Sequence, residues 1–305
     1  MAGGAFLAAD WGTTNLRVWR VGEDGQVQQG AEFPLGVSRL APGEAAARFA
    51  AEVRPALAAE GLPALLCGMV GSTLGWTVAP YLDCPADLTT LADGLTRVAP
   101  GVRIVAGLRC AGLTGPDVMR GEETQVLGWL AGDAARARGR RLLCLPGTHA
   151  KWVLVEDGAV VRFATAMTGE LYDLLGAHSV LRFAPPAGDD AAPFDLAAFD
   201  RGVAAAGDGG ALAARLFGLR GLTLAGQLAV GSAGAWLSGL LIGAEIAAVA
   251  PLMGAGADSG LDIIGEAHLA NLYRRVWEGG GRRCSVCPGG EAVLAGLTRL
   301  WRAAP

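Results

Sequence analysis

The chain has 305 residues, 52% of them hydrophobic and 18% charged, with a formal net charge of -4. That balance excludes a disordered or charge-driven chain, and the length suits two domains of typical size. With 25 Lys and Arg against 29 Asp and Glu, it also excludes a general nucleic-acid footprint, which needs a basic excess or stripe.

MAGGAFLAADWG at the N-terminus has no basic segment and Asp10 breaks its apolar run, so no secretory signal is expected. Ala5 to Ala9 predicts a buried strand that delivers Asp10 to its C-terminal end. Asn15 to Val21 alternates as a second strand, Glu23-Asp24-Gly25 turns, and Gln26 to Phe33 returns as a third. Ala45 to Glu60 reads as a helix, Ala64 to Met69 and Val102 to Ala106 as strands, and Glu122 to Ala137 as a helix.

Leu142 to Leu145, Lys151 to Val155 and Ala159 to Ala166 then repeat the opening grammar of strand, Gly-Thr turn, strand, acidic Gly turn, strand. GTTNLRVWRVGEDGQV and GTHAKWVLVEDGAV form an internal repeat. The repeat predicts two similar α/β domains, 1-139 and 140-305, each presenting a Gly-Thr turn to a shared cleft. Glu170 to Leu181 and Trp236 to Val249 read as helices, and Ala184 to Asp200 as a surface loop. Asp262 to Ile264 predicts a strand entering Gly265, Ala267 to Trp277 a helix, and Gly289-Gly290 a turn before a closing helix over Glu291 to Ala303.

Three features raise other classes of function. No charge occurs between Arg220 and Glu245, long enough to span a bilayer. Its six glycines, Gln and two serines, without basic flanks, favour a buried core helix instead, so no membrane partner is expected. The six cysteines lack disulfide-framework spacing and fit reduced thiols in a cytoplasmic protein, and the lone pair Cys284 and Cys287 lacks the second half of a zinc site and a strand leading into it. Glycine, at 47 residues, is about twice its usual share and predicts many tight turns and close backbone approaches.

A Gly-Thr turn between antiparallel strands exposes backbone N–H groups and hydroxyls to phosphate oxygens, a cradle without a P-loop lysine. Neither GxxxxGK[ST] nor GxGxxG is present. Asp10 beside such a turn suits a magnesium ion, which needs few protein carboxylates when phosphates supply the remaining oxygens. Lys151 is the only lysine in the chain and stands just after the second turn.

DWGTTNLR (Asp10 to Arg17) and LPGTHAKW (Leu145 to Trp152) resemble the two phosphate motifs of the superfamily of sugar kinases, actin and heat-shock chaperone ATPases. GMVGSTLGW (68–76), APY (79–81), DVMRGEETQVLG (117–128), MTGELYDLLGAHS (167–179) and LSGLLIGAEI (237–246) are similar to the 2-dehydro-3-deoxygalactonokinase family. The resemblance runs from Asp10 to about Tyr273. It implies two ribonuclease H-like (actin-like ATPase) domains flanking a nucleotide and sugar cleft. The activity implied is transfer of the ATP γ-phosphoryl group to the C6 hydroxyl of 2-dehydro-3-deoxy-D-galactonate in galactonate catabolism.

On that resemblance Gly12, Thr13, Thr14 and Arg17, with Gly147, Thr148, His149 and Lys151, hold the phosphates; Asp10 serves Mg2+; and Gly265 belongs to the adenosine site. Glu122, first in a helix after Gly121, is the expected base, since a helix N-terminus stabilises the carboxylate anion. Glu123 is the alternative and Glu170 a third. Gly71, Ser72, Trp76, Arg120 and Glu170 are expected at the sugar, Arg120 either as a bidentate anchor for the substrate carboxylate or in a salt bridge to Asp117 or Glu123. His178 reads as a core histidine, and Trp11 and Trp152 as packing residues. A homo-oligomer is compatible with the resemblance. Two alternatives stand: the same fold acting on another keto-deoxy sugar acid, such as the gluconate epimer, or an actin-like ATPase switch without sugar.

Overall fold

The structure, a computed structural model, describes residues 4–183 and 194–304. β1 (Phe6–Trp11), β2 (Leu16–Val21) and β3 (Val27–Phe33) form the expected antiparallel opening. The helix expected over 45–60 is a chain of short pieces: α1 (Glu44–Arg48), a π-helical turn (Phe49–Val53) and α2 (Arg54–Ala56). β4 (Ala64–Gly68), β5 (Tyr81–Asp83), α3 (Leu88–Asp93), β6 (Thr96–Ala99), β7 (Val102–Ile104), β8 (Gly107–Ala111) and β9 (Pro116–Met119) follow. α4 (Glu122–Ala131) ends six residues before the expected Ala137, because Asp133 caps a separate 3-10 turn (Ala134–Ala137) through its side chain.

The second half runs through β10 (Arg140–Leu145), β11 (Ala150–Glu156), β12 (Ala159–Ala166) and α5 (Thr168–His178). Then come α6 (Leu196–Ala206), α7 (Leu212–Leu224), α8 (Ala233–Leu252), β13 (Leu261–Gly265), α9 (Ala267–Gly279), β14 (Cys284–Pro288) and α10 (Gly289–Ala303). The loop expected over 184–200 falls partly outside the described residues, but its last five residues belong to α6, started by an Asp195 side-chain cap on the Ala198 amide. Gly289 and Gly290 open α10 instead of forming a separate turn, and Cys284 and Cys287 sit within β14.

The chain divides into two compact units: 1–141 with 154–163 and 287–305, and 142–153 with 164–286. The closing helix α10 thus groups with the first unit, although it follows the second in sequence.

A six-stranded sheet has the order β3-β2-β1-β4-β7-β6, and a five-stranded sheet the order β12-β11-β10-β13-β14. Both begin third-second-first and continue with a strand from a later crossover, as the sequence repeat predicts. A third sheet, β5-β8-β9, lies in the first unit. The first unit's core gathers Trp11, Phe49, Leu66 and Ile104 with the inward faces of β1, β2 and β4.

Part of the glycine excess has its physical reason in helix crossings. A Cβ on Gly128 of α4 would run into the Ala292 carbonyl of α10, and one on Gly296 of α10 into the Thr124 carbonyl. In the second unit Gly202 of α6 and Gly239 of α8 meet the carbonyls of Trp236 and Phe199 in the same way. The apolar α8 has almost its whole first two-thirds buried, the pattern of a core helix.

Candidate active site

In the first unit β1 carries Asp10 to the edge of the Gly12–Asn15 turn. Gly12 does not offer its amide to a ligand: that N–H donates to the Asn15 carbonyl at 2.9 Å and closes the turn. This corrects the expectation that the Gly12 amide holds phosphate. The open groups are one residue on, since Thr13 and Thr14 are exposed and their amides and hydroxyls have no partner among the described residues. Residues 36–38 brace the turn from below: the Gly36, Val37 and Ser38 amides donate to the Thr14, Gly12 and Thr13 carbonyls. Arg17, one turn of alternation along β2, places Nη2 2.6 Å from Asp10 Oδ2.

Asp10 and the start of α4 meet through two glycines. A Cβ on Gly68 would stand 3.3 Å from Asp10 Oδ1, and one on Gly121 3.2 Å from Gly68 Cα; both glycines have positive φ, +88° and +106°. At that junction Glu122 is half-buried and its Oε2 accepts the Arg120 amide at 3.0 Å. Glu123 is 1% exposed, with oxygens held by the Gly121 amide at 2.6 Å and the Thr124 hydroxyl at 3.0 Å. Burial, helped by the neighbouring Glu122 charge, pushes its pKa up to about 8.

Arg120 forms no salt bridge among the described residues. It is 8% exposed; Nη2 donates to the Ala79 carbonyl at 2.7 Å, and the guanidinium lies 4.4 Å over the Tyr81 ring. Nε and Nη1 are buried without a hydrogen-bond partner among the described residues. Gly71 leaves the room for Nη1, since a Cβ there would come within 2.7 Å of it. Ser72 accepts the Leu74 amide through Oγ at 3.2 Å. Trp76 is half-buried against Phe49 at 5.9 Å between centroids, a packing position. Gly68 and Tyr81 escaped sequence reasoning; the first stood within the quoted GMVGSTLGW and the second within APY.

In the second unit Gly147 and Thr148 form the turn between β10 and β11, and a Cβ on Gly147 would meet nothing within 4 Å. The turn's outer side is therefore open to a close ligand. The amides of Gly147, Thr148 and His149 donate to no other group among the described residues. Lys151 is 4% exposed and its Nζ donates to the His149 carbonyl at 3.0 Å, bracing the turn from within. Glu170 belongs to this unit, whereas Gly71 and Arg120 belong to the first, and its Oε2 lies 2.5 Å from His149 Nε2.

A pocket of about 300 Å³ opens from this turn, lined by Thr148 and Gly169, by Ser238 and Ile242 of α8, and by His268 and Leu272 of α9. Its wall includes Tyr273, whose hydroxyl donates to buried Glu245 at 2.7 Å, as does Trp152 Nε1. Gly265 stands behind the turn, a Cβ there lying an ordinary 3.5 Å from Pro146, so the fold does not require a glycine. The pocket was not legible because its residues come from helices over a hundred positions apart. His178 is exposed at the end of α5, not in a core as expected, because that helix turns its C-terminal half to solvent.

Two sheets of matching strand order, each with a Gly-Thr turn at its first hairpin, define an α/β protein of the actin-like ATPase and sugar-kinase fold. The activator of the 2-hydroxyisocaproyl-CoA dehydratase from Clostridium difficile, 9% identical, matches that fold with a TM-score of 0.50 over 97% of this chain and 94% of its own. The sequence pattern of the 2-keto-3-deoxy-galactonokinase family matches residues 10–300. The 2-dehydro-3-deoxygalactonokinase of Escherichia coli (strain K12) is 34% identical over 97% of both chains. A crystal structure of a Sinorhizobium meliloti protein, assigned as a candidate to the same activity, is 37% identical with a TM-score of 0.83, covering 98% of both chains. The chain belongs to the 2-keto-3-deoxy-galactonokinase family and is an ATP-dependent carbohydrate kinase.

Proposed function

We propose that this protein transfers the γ-phosphoryl group of ATP to the C6 hydroxyl of 2-dehydro-3-deoxy-D-galactonate, giving the 6-phosphate and ADP. The observation that carries the reading is the junction of Asp10, Gly68 and Gly121, which brings the end of the strand that carries Asp10 and the start of the helix that carries Glu122 together across two glycines in contact. Phosphoryl transfer needs those two groups near each other and little covalent chemistry from the protein.

Glu122 is the group for the sugar hydroxyl. It is accessible where Glu123 is sealed, and the α4 N-terminus favours its anion. It takes the hydroxyl proton as the sugar oxygen bonds to the γ-phosphorus and the bond to the β–γ bridging oxygen breaks. Burial raises the pKa of Glu123 and so disfavours a second negative charge beside Glu122. The Arg120 nitrogens that lack partners suit a substrate that is itself a carboxylate.

The phosphates fit the open amides of the Gly147–His149 turn, and the adenosine fits the pocket beside Gly169; the exposed Thr13 and Thr14 amides give the first unit a Gly-Thr turn of the same kind. No group of three His, Cys, Asp or Glu converges among the described residues. Mg2+ takes one or two carboxylates plus phosphate and water oxygens, so Asp10 at the end of β1 suits it as the protein ligand. Bound there, the ion neutralises charge on the phosphate chain.

The test is ADP release by the purified protein with ATP and Mg2+, comparing 2-dehydro-3-deoxy-D-galactonate, its gluconate epimer, simple hexoses and no sugar. Turnover selective for the galactonate is the expected result. Equal turnover with the epimer moves the substrate to the wider class of keto-deoxy sugar acids, and sugar-independent hydrolysis overturns the kinase assignment of the substrate.

A further inference from the structure

The turn that follows β10 is locked to the start of α5 by three contacts. A Cβ on Gly169 would come within 2.5 Å of the Gly147 carbonyl oxygen and 2.7 Å of Thr148 Cα, so the helix approaches backbone to backbone. The Glu170 amide donates to the Thr148 carbonyl at 2.9 Å. The Glu170 side chain returns to the same turn, with Oε2 2.5 Å from His149 Nε2. From the other end Lys151 Nζ fixes the His149 carbonyl at 3.0 Å. An ordinary surface ion pair is held by neither backbone nor glycine contacts and contributes little; this one is anchored on both residues.

We infer that Glu170 is a positioning residue for His149, and that His149 is a direct contact to the phosphate chain. The inference rests on the proposed ATP reading of the Gly147–His149 turn. A carboxylate accepts hydrogen bonds only, so Nε2 carries the proton it donates to Glu170, and the ring's second nitrogen, Nδ1, is the one left for a ligand. The contact inferred is an Nδ1–H donated to an anionic phosphate oxygen while Nε2–H stays on the Glu170 carboxylate. The His149 side chain is 48% exposed and Glu170 35%, so the ring is accessible while its partner is the more covered. This assigns Glu170 to the histidine and not to the sugar or to proton abstraction.

The experiment compares His149→Ala, Glu170→Ala, Glu170→Gln and the double alanine variant in the full chain. It reads kcat and KM for both substrates, and calorimetric binding of a non-hydrolysable ATP analogue, after thermal melts establish that each variant folds. Each alanine variant is expected to lower kcat/KM for ATP by about 10- to 100-fold, with the double variant within about threefold of His149→Ala. Glu170→Gln, whose amide oxygen still accepts from Nε2, falls less than Glu170→Ala, and KM for the sugar acid stays within about twofold.

Additive losses, a raised sugar-acid KM in Glu170→Ala, or a Glu170→Gln as inactive as Glu170→Ala overturn the inference. If the wild type shows no sugar-acid-dependent turnover, the functional reading fails by itself. Analogue binding then decides the dyad alone, with non-additive weakening supporting it and additive or absent weakening overturning it.

Discussion

Gly169 and Gly147 touch backbone to backbone, with 2.5 Å between the position of a Gly169 Cβ and the Gly147 carbonyl oxygen. A methyl group at 169 must push α5 off the turn. Gly169→Ala is therefore expected to raise KM for ATP about tenfold or more, because sub-ångström misplacement of a phosphate cradle is costly. Steady-state kinetics at saturating sugar acid checks it; an unchanged KM would show that the turn does not hold the nucleotide.

Glu122→Gln removes the carboxylate without changing its shape. A loss in kcat of about 10²–10⁴ with sugar-acid binding kept is expected, the usual contribution of a general base. Near wild-type kcat would remove Glu122 from the role.

Glu123 makes a different prediction, one of stability. Its folded pKa of about 8 lies above the ordinary 4.5, so between those pH values the native state keeps a proton that the unfolded chain has released. Stability drawn from this group is thus full below pH 4.5 and falls as pH rises toward 8. Glu123→Gln, an uncharged isostere, should flatten the slope and gain on the order of 3 kcal/mol over wild type at pH 8. Melting curves between pH 5 and 9 provide the measurement, and parallel curves for the two proteins would refute it.

The unpartnered nitrogens of Arg120 predict a selectivity change. Arg120→Leu should raise KM for the sugar acid by about 10- to 100-fold, the worth of a charge-assisted hydrogen bond, while KM for ATP holds. A matching rise for a neutral sugar analogue would assign Arg120 to bracing the Ala79 loop instead.

Gly128 and Gly296 place α4 and α10 closer than any side chain allows. Alanine at either should cost about 1–3 kcal/mol or more through overpacking, whereas Gly61→Ala, with nothing within 4 Å, is the near-neutral control. Chemical denaturation midpoints of the three variants decide it.

Much of the fold was legible because it follows local rules. The alternation in LRVWRV and the acidic glycine turns fixed both opening hairpins, and their repetition indicated two sheets of like order. The helix ends were less legible: an Asp133 cap and a π-helical turn at Phe49–Val53 cannot be told from composition. The start of α6 was missed where proline and aspartate suggested loop, and α7 lies in a stretch for which no separate helix was expected. At the candidate site the residue types were readable, but the Gly12 amide proved to be spent on Asn15, a matter of how the turn closes.

The sequence by itself determined the class of chemistry: a carboxylate after an apolar run, two Gly-Thr turns, and an acidic helix start after Gly121, all set by spacing within a few residues. Tertiary structure alone decided which acid is sealed and which accessible, that two Arg120 nitrogens are buried without a partner among the described residues, and that Glu170 belongs to His149. The reason is physical. Charge state and accessibility depend on desolvation and on partners brought from distant positions, and those are fixed only when the glycine-lined helices and turns close against one another.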